Sequence, residues 1–502
     1  MRRREWIKLA LGAAAGSAAY GAKDAIPAHP SRLKFPELHY EPPNPADYRH
    51  ELPNGALAYV VEDHQFPLVD ISVTIRTGSY LVPEENAGLA SFTGSQMRAG
   101  GTKTISARDF DEEAAFLASR VGGSIGGTSG SASMGCLKEN LEPTLKLFFD
   151  MLKNPGFDEQ RFQIALARSL QGMSRRNDRT NSIEHREFAR LLRGDAHFTT
   201  RPRTQASVES ITREMMSGFH QRYYHPGSMI LAVSGDVDTK QILARLGEEM
   251  RDGWPDQGPG KSPAVPKVPA PKHVPVSGVS MVDKPEVNQS RVSMGHLGIL
   301  RSNPDQFAVR MMNHILGGGG FTSRIMSRVR SDEGLAYSAS SRFGLGVYYP
   351  ATFNASFQSM NGRCAQATSI VIEELERIRN EKVSEEELTT ARNSSIETFP
   401  RFFADASSVA GTFAEDEYTG REKGYWDKYR DRIAAVTRED VLRVAQKYLH
   451  PDRLAILVVG KIEEVLKGNP DKPEYQFDKI AKDKEIKRIP LPDPMTMVYP
   501  KG

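Results

Sequence analysis

Apolar positions along the chain fall into two rhythms. Short dense runs such as "LVDISVTIRTG" (68–78) and "RLAILVVG" (453–460) have the length and β-branched content of strands. Between them, "LEPTLKLFFDMLKN" (141–154) and "SIVIEELERIRNE" (369–381) repeat apolar residues at helical spacing. Strands alternating with amphipathic helices predict an α+β architecture in which a layer of helices covers a sheet.

The pattern is written twice. "ITREMMSGFHQRYYHPGSMILAVSGDVD" from Ile211 aligns without gaps on "VTREDVLRVAQKYLHPDRLAILVVGKIE" from Val436. Thr212/Thr437, Arg213/Arg438, Glu214/Glu439, Gln221/Gln446, Tyr223/Tyr448, His225/His450, Pro226/Pro451, Val233/Val458 and Gly235/Gly460 coincide. In each copy Thr-Arg-Glu opens a helix as its cap and first turn, His-Pro ends it, and a buried strand follows. Recurrence at the same helix–strand corner gives His225 and His450 a structural rather than metal-binding role. "GWPDQGPGKSPAVPKVPAPKHVPV" (253–276) is rich in Pro and Gly and reads as a semi-rigid linker between the copies. The expected segments are 1–22, an export signal; 23–252, the first repeat; 253–276, the linker; 277–468, the second repeat; and 469–502, a charged tail able to wrap the body or a partner.

Composition changes this picture little. The 502 residues are 39% apolar and 26% charged, with three Trp, as in an ordinary soluble globular protein. The net charge of +3 is accounted for by Arg2, Arg3, Arg4 and Lys8 against Glu5, so nothing favours a nucleic acid as partner. That basic stretch opens "MRRREWIKLALGAAAGSAAYGA", in which a weakly apolar Ala/Gly run precedes small residues suited to signal cleavage near 19–22. "RRREWIK" resembles a twin-arginine export signal, which implies a periplasmic destination. An ordinary membrane anchor is the other reading, although a stable span needs roughly 20 apolar residues. No membrane span is expected after signal removal. Cys136 and Cys364, one in each half, form no disulfide framework or zinc cluster and read as buried small apolar residues.

One helix is oddly bare. "AGLASFTGSQMRAGGT" (87–102) keeps an apolar stripe at Leu89, Phe92 and Met97, yet Ser91, Gly94 and Ser95 on another face carry almost no side chain. "GLASFTGSQMRAGGT", "ILGGGGFTSRIMSRVRSDEGLAYS" and "YWDKYRDRIAAVTREDVLRVAQKYLHPDRLAILVVG" together resemble the pitrilysin/insulinase-type zinc peptidases. The likeness is to the branch containing mitochondrial processing peptidase, and with the repeat it spans most of residues 50–465. Active members of that family place a His-x-x-Glu-His on the helix and a further Glu well downstream. The two His and the distant Glu bind zinc, and the Glu between the His activates its water. Those places fall here on Ser91, Gly94, Ser95 and Gly172. No two of the twelve His are three or four residues apart, so no helical zinc pair exists elsewhere, and the chain is expected to bind no catalytic metal. Close packing of a small-residue helix on a neighbour explains the bare face equally well, and both accounts predict no metal.

The resemblance implies more for the second half. An Arg and a Tyr seven residues apart, Arg330 and Tyr337 in "VRSDEGLAY", would hold a substrate carbonyl and donate to the oxyanion formed on it. Gly334 is placed to end the helix carrying Arg330. "GGGGF" (317–321) lacks the following Gly-Lys-Ser/Thr of a phosphate loop and reads as a turn. "VGGSIGGTSGSASMGC" from Val121 reads as a strand pair whose edge, in relatives, receives the substrate backbone. The expectation is a zinc-free subunit, inactive alone, that closes clamshell-like on a homologous zinc-binding partner around an unfolded peptide. A peptide-binding or structural partner with no part in chemistry is the alternative, and a self-sufficient metallopeptidase is a third reading.

Overall fold

Residues 49–235 supply one six-stranded sheet and residues 278–488 supply another with the same strand order except at one outer edge. The first comprises β1 (Arg49–Glu51), β2 (Leu57–Glu62), β3 (Leu68–Ile75), β4 (Arg120–Ile125), β5 (Gly130–Leu137) and β6 (Met229–Gly235), ordered β1-β2-β6-β3-β5-β4. The second comprises β7 (Gly278–Asp283), β8 (Gln289–Leu297), β10 (Ala336–Phe343), β12 (Thr352–Met360), β13 (Ala455–Gly460) and β14 (Lys487–Arg488), ordered β14-β7-β13-β8-β12-β10. Short strands β9 (Ile299–Leu300) and β11 (Leu345–Gly346) pair beside it. Within each sheet one central pair is parallel, β2 with β6 and β7 with β13, and the strands beyond run antiparallel out to β4 and β10. The outer strands differ: β1 is antiparallel to β2, whereas β14 is parallel to β7.

This computed structural model describes residues 40–254, 266–482 and 484–500. The expected export signal and the middle of the linker lie outside the described residues. Everything here concerns the compact unit Pro42–Gly502. Among the described residues no helix is long and apolar enough to cross a membrane.

The repeat seen in the sequence is physical. Helices Arg213–Tyr223 and Arg438–Tyr448 match position for position, capped by Thr212 and Thr437, whose hydroxyls accept from Met215 (3.3 Å) and Asp440 (3.1 Å) backbone N–H groups. Each leads through a short turn into a buried central strand, β6 or β13. His225 and His450 stand at the corners, and burial lowers both imidazole pKa values.

The two halves also exchange a helix. Thr180–Arg193, from the first half, packs on β13 and β8 of the second sheet, and Ala406–Thr419, from the second, packs on β6, β2 and β3. They bury corresponding positions in the same spacing: Ile183, Glu184, Glu187, Phe188 and Leu192 in one, Val409, Ala410, Phe413, Ala414 and Tyr418 in the other. The chemistry differs. Phe413 stacks against Tyr48 and meets Tyr59 at a tilt, whereas Glu184 is held by Arg291 and by the Ser293 hydroxyl at 2.7 Å. Glu187, almost wholly buried, is bonded by Arg186 and Arg190 (each 2.7 Å) and by the Tyr499 hydroxyl at 2.9 Å. Buried carboxylates persist only with such partners. Tyr499 belongs to the charged tail, which adds β14 to the second sheet, packs Ile489 and Leu491 beside Ile183 and Leu192, and reaches the first core through Met495. The described part of the linker has no regular element and is tied to the body at Pro269, whose carbonyl meets His197, and at Val276, whose N–H donates to Leu191.

Candidate functional site

The bare helix is Leu89–Ala99, entered through Gly88 at φ +121° and left at Gly100. Leu89, Phe92 and Met97 face the core. Ser91 and Ser95 are exposed, and the Ser95 hydroxyl donates back to the Phe92 carbonyl at 3.2 Å. Gly94 is buried against β4: a Cβ there would stand 2.4 Å from the Ile125 nitrogen and 2.6 Å from the Ser124 carbonyl carbon. No side chain fits without moving the strand. From the other side, a Cβ on Gly123 would meet the Gly94 oxygen at 3.3 Å. The two accounts of the bare face therefore coincide at Gly94, where the family's base would stand and where backbone packs on backbone. Gly172 lies exposed on helix Glu159–Ser174, with open space around it. That helix meets the bare one through an edge-to-face contact of Phe92 and Phe162, centroids 5.7 Å apart. Two hydroxyls and two hydrogens are no donor set for zinc, so the positions do not fit that metal. Among the described residues no three His, Cys, Asp or Glu side chains are gathered as a metal would need.

Arg330 and Tyr337 do come together, on the second sheet. The chain runs from helical turn Arg324–Met326 into a π-helical segment, Ser327–Asp332, an irregularity often found at functional sites. Gly334, at φ +59°, ends it, with its N–H on the Arg330 carbonyl at 3.1 Å, and Tyr337 follows in β10, 84% exposed. The Arg330 guanidinium lies 4.9 Å from the Tyr337 ring centre and 4.6 Å from that of Phe321. Phe321 is itself 68% exposed and was not singled out from the sequence; a lone aromatic after four glycines was the available signal. Arg330 differs from its neighbours. Arg324 is bound bidentately by Glu387 (2.6 and 2.9 Å) and Arg328 by Glu374 and Glu373 (2.8 and 3.2 Å), whereas Arg330 makes no ion pair with a described carboxylate. Burial alone would raise the Glu387 carboxyl, but Arg324 holds it down at about 2. The helix is thus clamped and its outermost cation rests on two rings, a cation–π arrangement that leaves N–H donors for a ligand.

Residues 210–395 match the family model described as the Peptidase M16 inactive domain. The chain is 23% identical to an uncharacterized zinc protease of Streptomyces coelicolor over 331 residues, 65% of this chain and 71% of the relative. It is 22% identical to a probable mitochondrial-processing peptidase subunit beta of Arabidopsis thaliana over 438 residues, 82% of this chain and 78% of the relative. Among solved structures, the peptidase M16 inactive domain from Pseudomonas fluorescens superposes with a TM-score of 0.71 at 23% identity, covering 82% of this chain and 97% of that one. The chain is thus similar to the M16 peptidases, in sequence over residues 210–395 and in fold over most of its length. The M16 match contains Arg330 and Tyr337 and begins after Ser91, Gly94, Ser95 and Gly172.

Three further stretches read from the sequence find their places. β4 and β5 form the expected strand pair, and β4 is the outermost strand of the first sheet. The Gly317–Phe321 run serves packing: a Cβ on Gly317 would come within 2.5 Å of the Ser341 nitrogen in β10. Cys136 and Cys364 are both buried and unpaired, and burial pushes the Cys364 thiol up to about 12.

Proposed function

We propose that the chain is the zinc-free subunit of an exported two-chain metallopeptidase, lending Arg330 and Tyr337 to a homologous partner that keeps an intact His-x-x-Glu-His. The carrying observation is an asymmetry: Gly94 leaves no volume for a general base, while Arg330 and Tyr337 form an outward-facing donor pair. In this reading an unfolded peptide lies along β4, Arg330 orients one of its carbonyl groups, and the Tyr337 hydroxyl donates to the oxyanion as the carbonyl becomes tetrahedral. The chain itself carries no cofactor; zinc belongs to the partner. The twin-arginine-like leader supports work in the periplasm.

The test is hydrolysis of an internally quenched peptide by the chain mixed with an exported homologue bearing the intact motif. Arg330→Ala and Tyr337→Phe are each expected to lower kcat by about 100-fold, the loss typical of removing one oxyanion donor. The purified chain alone is expected to cleave nothing and to bind no stoichiometric zinc by atomic absorption. Unchanged rates in both variants remove the catalytic role and leave the second reading, a peptide-binding or structural partner. That reading draws support from Phe321 and Tyr337, whose exposed rings offer a contact surface without chemistry.

A further inference from the structure

A cavity of about 220 Å³ opens where the bare helix begins. Its walls include Gly88, Ala90 and Ser91 at the start of that helix, Ile125 and Gly126 at the end of β4, and Arg201 and Arg203 of the loop after helix Thr180–Arg193, and no acidic side chain lines it. Three independent features make it electropositive. The helix N-terminus has no side-chain cap and no acidic residue in its first turn, so its leading N–H groups and the positive end of its dipole stay uncompensated. The Arg201 Nη1 donates to the Val82 carbonyl at 2.8 Å, while its Nε is buried with no hydrogen-bond partner. Arg203 is exposed, and Arg176 donates to its carbonyl at 3.0 Å. The Arg176 guanidinium pKa is depressed by burial first and then by Arg186 and Arg203, as expected where cations crowd together.

Uncapped helix N–H groups beside guanidinium forks are the donor geometry that carboxylates select. The volume equals that of about seven water molecules at about 30 Å³ each, enough for an acidic side chain or a chain terminus. Because the end of β4 forms one wall, a peptide lying on that edge passes the opening. We propose that the cavity beside Ser91 is a carboxylate pocket, in which Arg201, Arg203 and the N-terminus of helix Leu89–Ala99 take an acidic side chain or the C-terminal carboxylate of the bound peptide. The inference rests on the reading of β4 as the peptide-binding edge. It needs no part of the chemistry assigned to Arg330 and Tyr337.

The test is fluorescence anisotropy of the full chain with three labelled octapeptides of Thr and Val. One carries a single Glu and a C-terminal amide, the second has Gln in place of Glu, and the third is the Gln peptide with a free C-terminal carboxylate. At least one carboxylate peptide is expected to bind ten-fold or more tightly than the neutral one, and the first and third name the source. Arg203 is exposed, so Arg203→Gln should fold normally and cut the preference below two-fold. Arg203→Glu should reverse it toward a Lys-containing peptide. Arg120→Gln, at the other end of β4, should leave it intact. Equal binding of all three peptides, or a preference that survives Arg203→Gln or falls equally in Arg120→Gln, overturns the pocket. Equal binding would leave strand addition standing, whereas no binding of any peptide overturns both. Unchanged hydrolysis in the Arg330 and Tyr337 variants would leave the pocket untouched.

Discussion

Strands β4 and β10 occupy the same outer place in their respective sheets, and each has a helix backbone pressed against it by a glycine. Gly94 abuts Ser124 and Ile125 of β4, and Gly317 abuts Ser341 of β10. What flanks each contact is opposite. On its bare face the first helix presents only the Ser91 and Ser95 hydroxyls, and helix Glu159–Ser174 beside it presents only a hydrogen at Gly172. Next to the second contact, residues 324–332 carry three arginines, two neutralised by carboxylates and one laid across Phe321 and Tyr337. One duplicated scaffold thus presents almost no side chain at one edge and an arginine laid on two rings at the other. The lesson is that the same edge strand and the same glycine contact can carry surfaces of opposite character.

Breaking the first edge should have the largest effect. Gly94→Glu forces a side chain into the β4 backbone and should cost about 3 kcal/mol, the upper end for overpacking, read as a lower urea midpoint. It should not create a zinc site even when combined with Ser91→His and Ser95→His. Breaking the clamp of the second edge comes next. Arg324→Met should cost about 2 kcal/mol, because it leaves the half-buried Glu387 carboxylate with only the Ser384 N–H as partner. It should also change the acid profile. With a folded pKa of about 2 against an unfolded value near 4.3, Glu387 contributes its stability fully above about pH 4.3 and loses it as pH falls toward 2. Unfolding midpoints measured from pH 5 to pH 2 should fall less steeply in the variant. Gly172→Ala, in open space on an exposed helix, should stabilise by about 0.5–1 kcal/mol, the reverse of Gly94. The smallest effect belongs to Arg330→Ala, whose unfolding free energy should stay within about 0.5 kcal/mol of the parent, because the side chain holds a surface and not the core.

Much of this was legible in the sequence for local reasons. Capping threonines, His-Pro stops and dense apolar runs are short-range signals, so the helices at Arg213–Tyr223 and Arg438–Tyr448 and their strands were readable. The empty face of Ser91, Gly94 and Ser95 was equally plain, but not that Gly94 is needed for contact with β4, since that partner lies about thirty residues away. The helix exchange was invisible for a related reason. Ile183, Phe188 and Leu192 announce an apolar stripe without naming the sheet it will cover. Glu184 and Glu187 read as solvated until Arg291, Ser293 and Tyr499 arrive from far along the chain. Phe321 was missed because an exposed aromatic in a glycine loop has no periodicity to betray it.

The swapped helices bear on how the molecule could be taken apart. Each half holds the lid of the other, so a fragment ending near residue 254 would leave β2, β3 and β6 without Phe413 and Tyr418, and its own Ile183 and Leu192 without a floor. Separately expressed halves should therefore be insoluble singly and soluble when made together, and a nick between them should leave the two pieces interlocked through gel filtration.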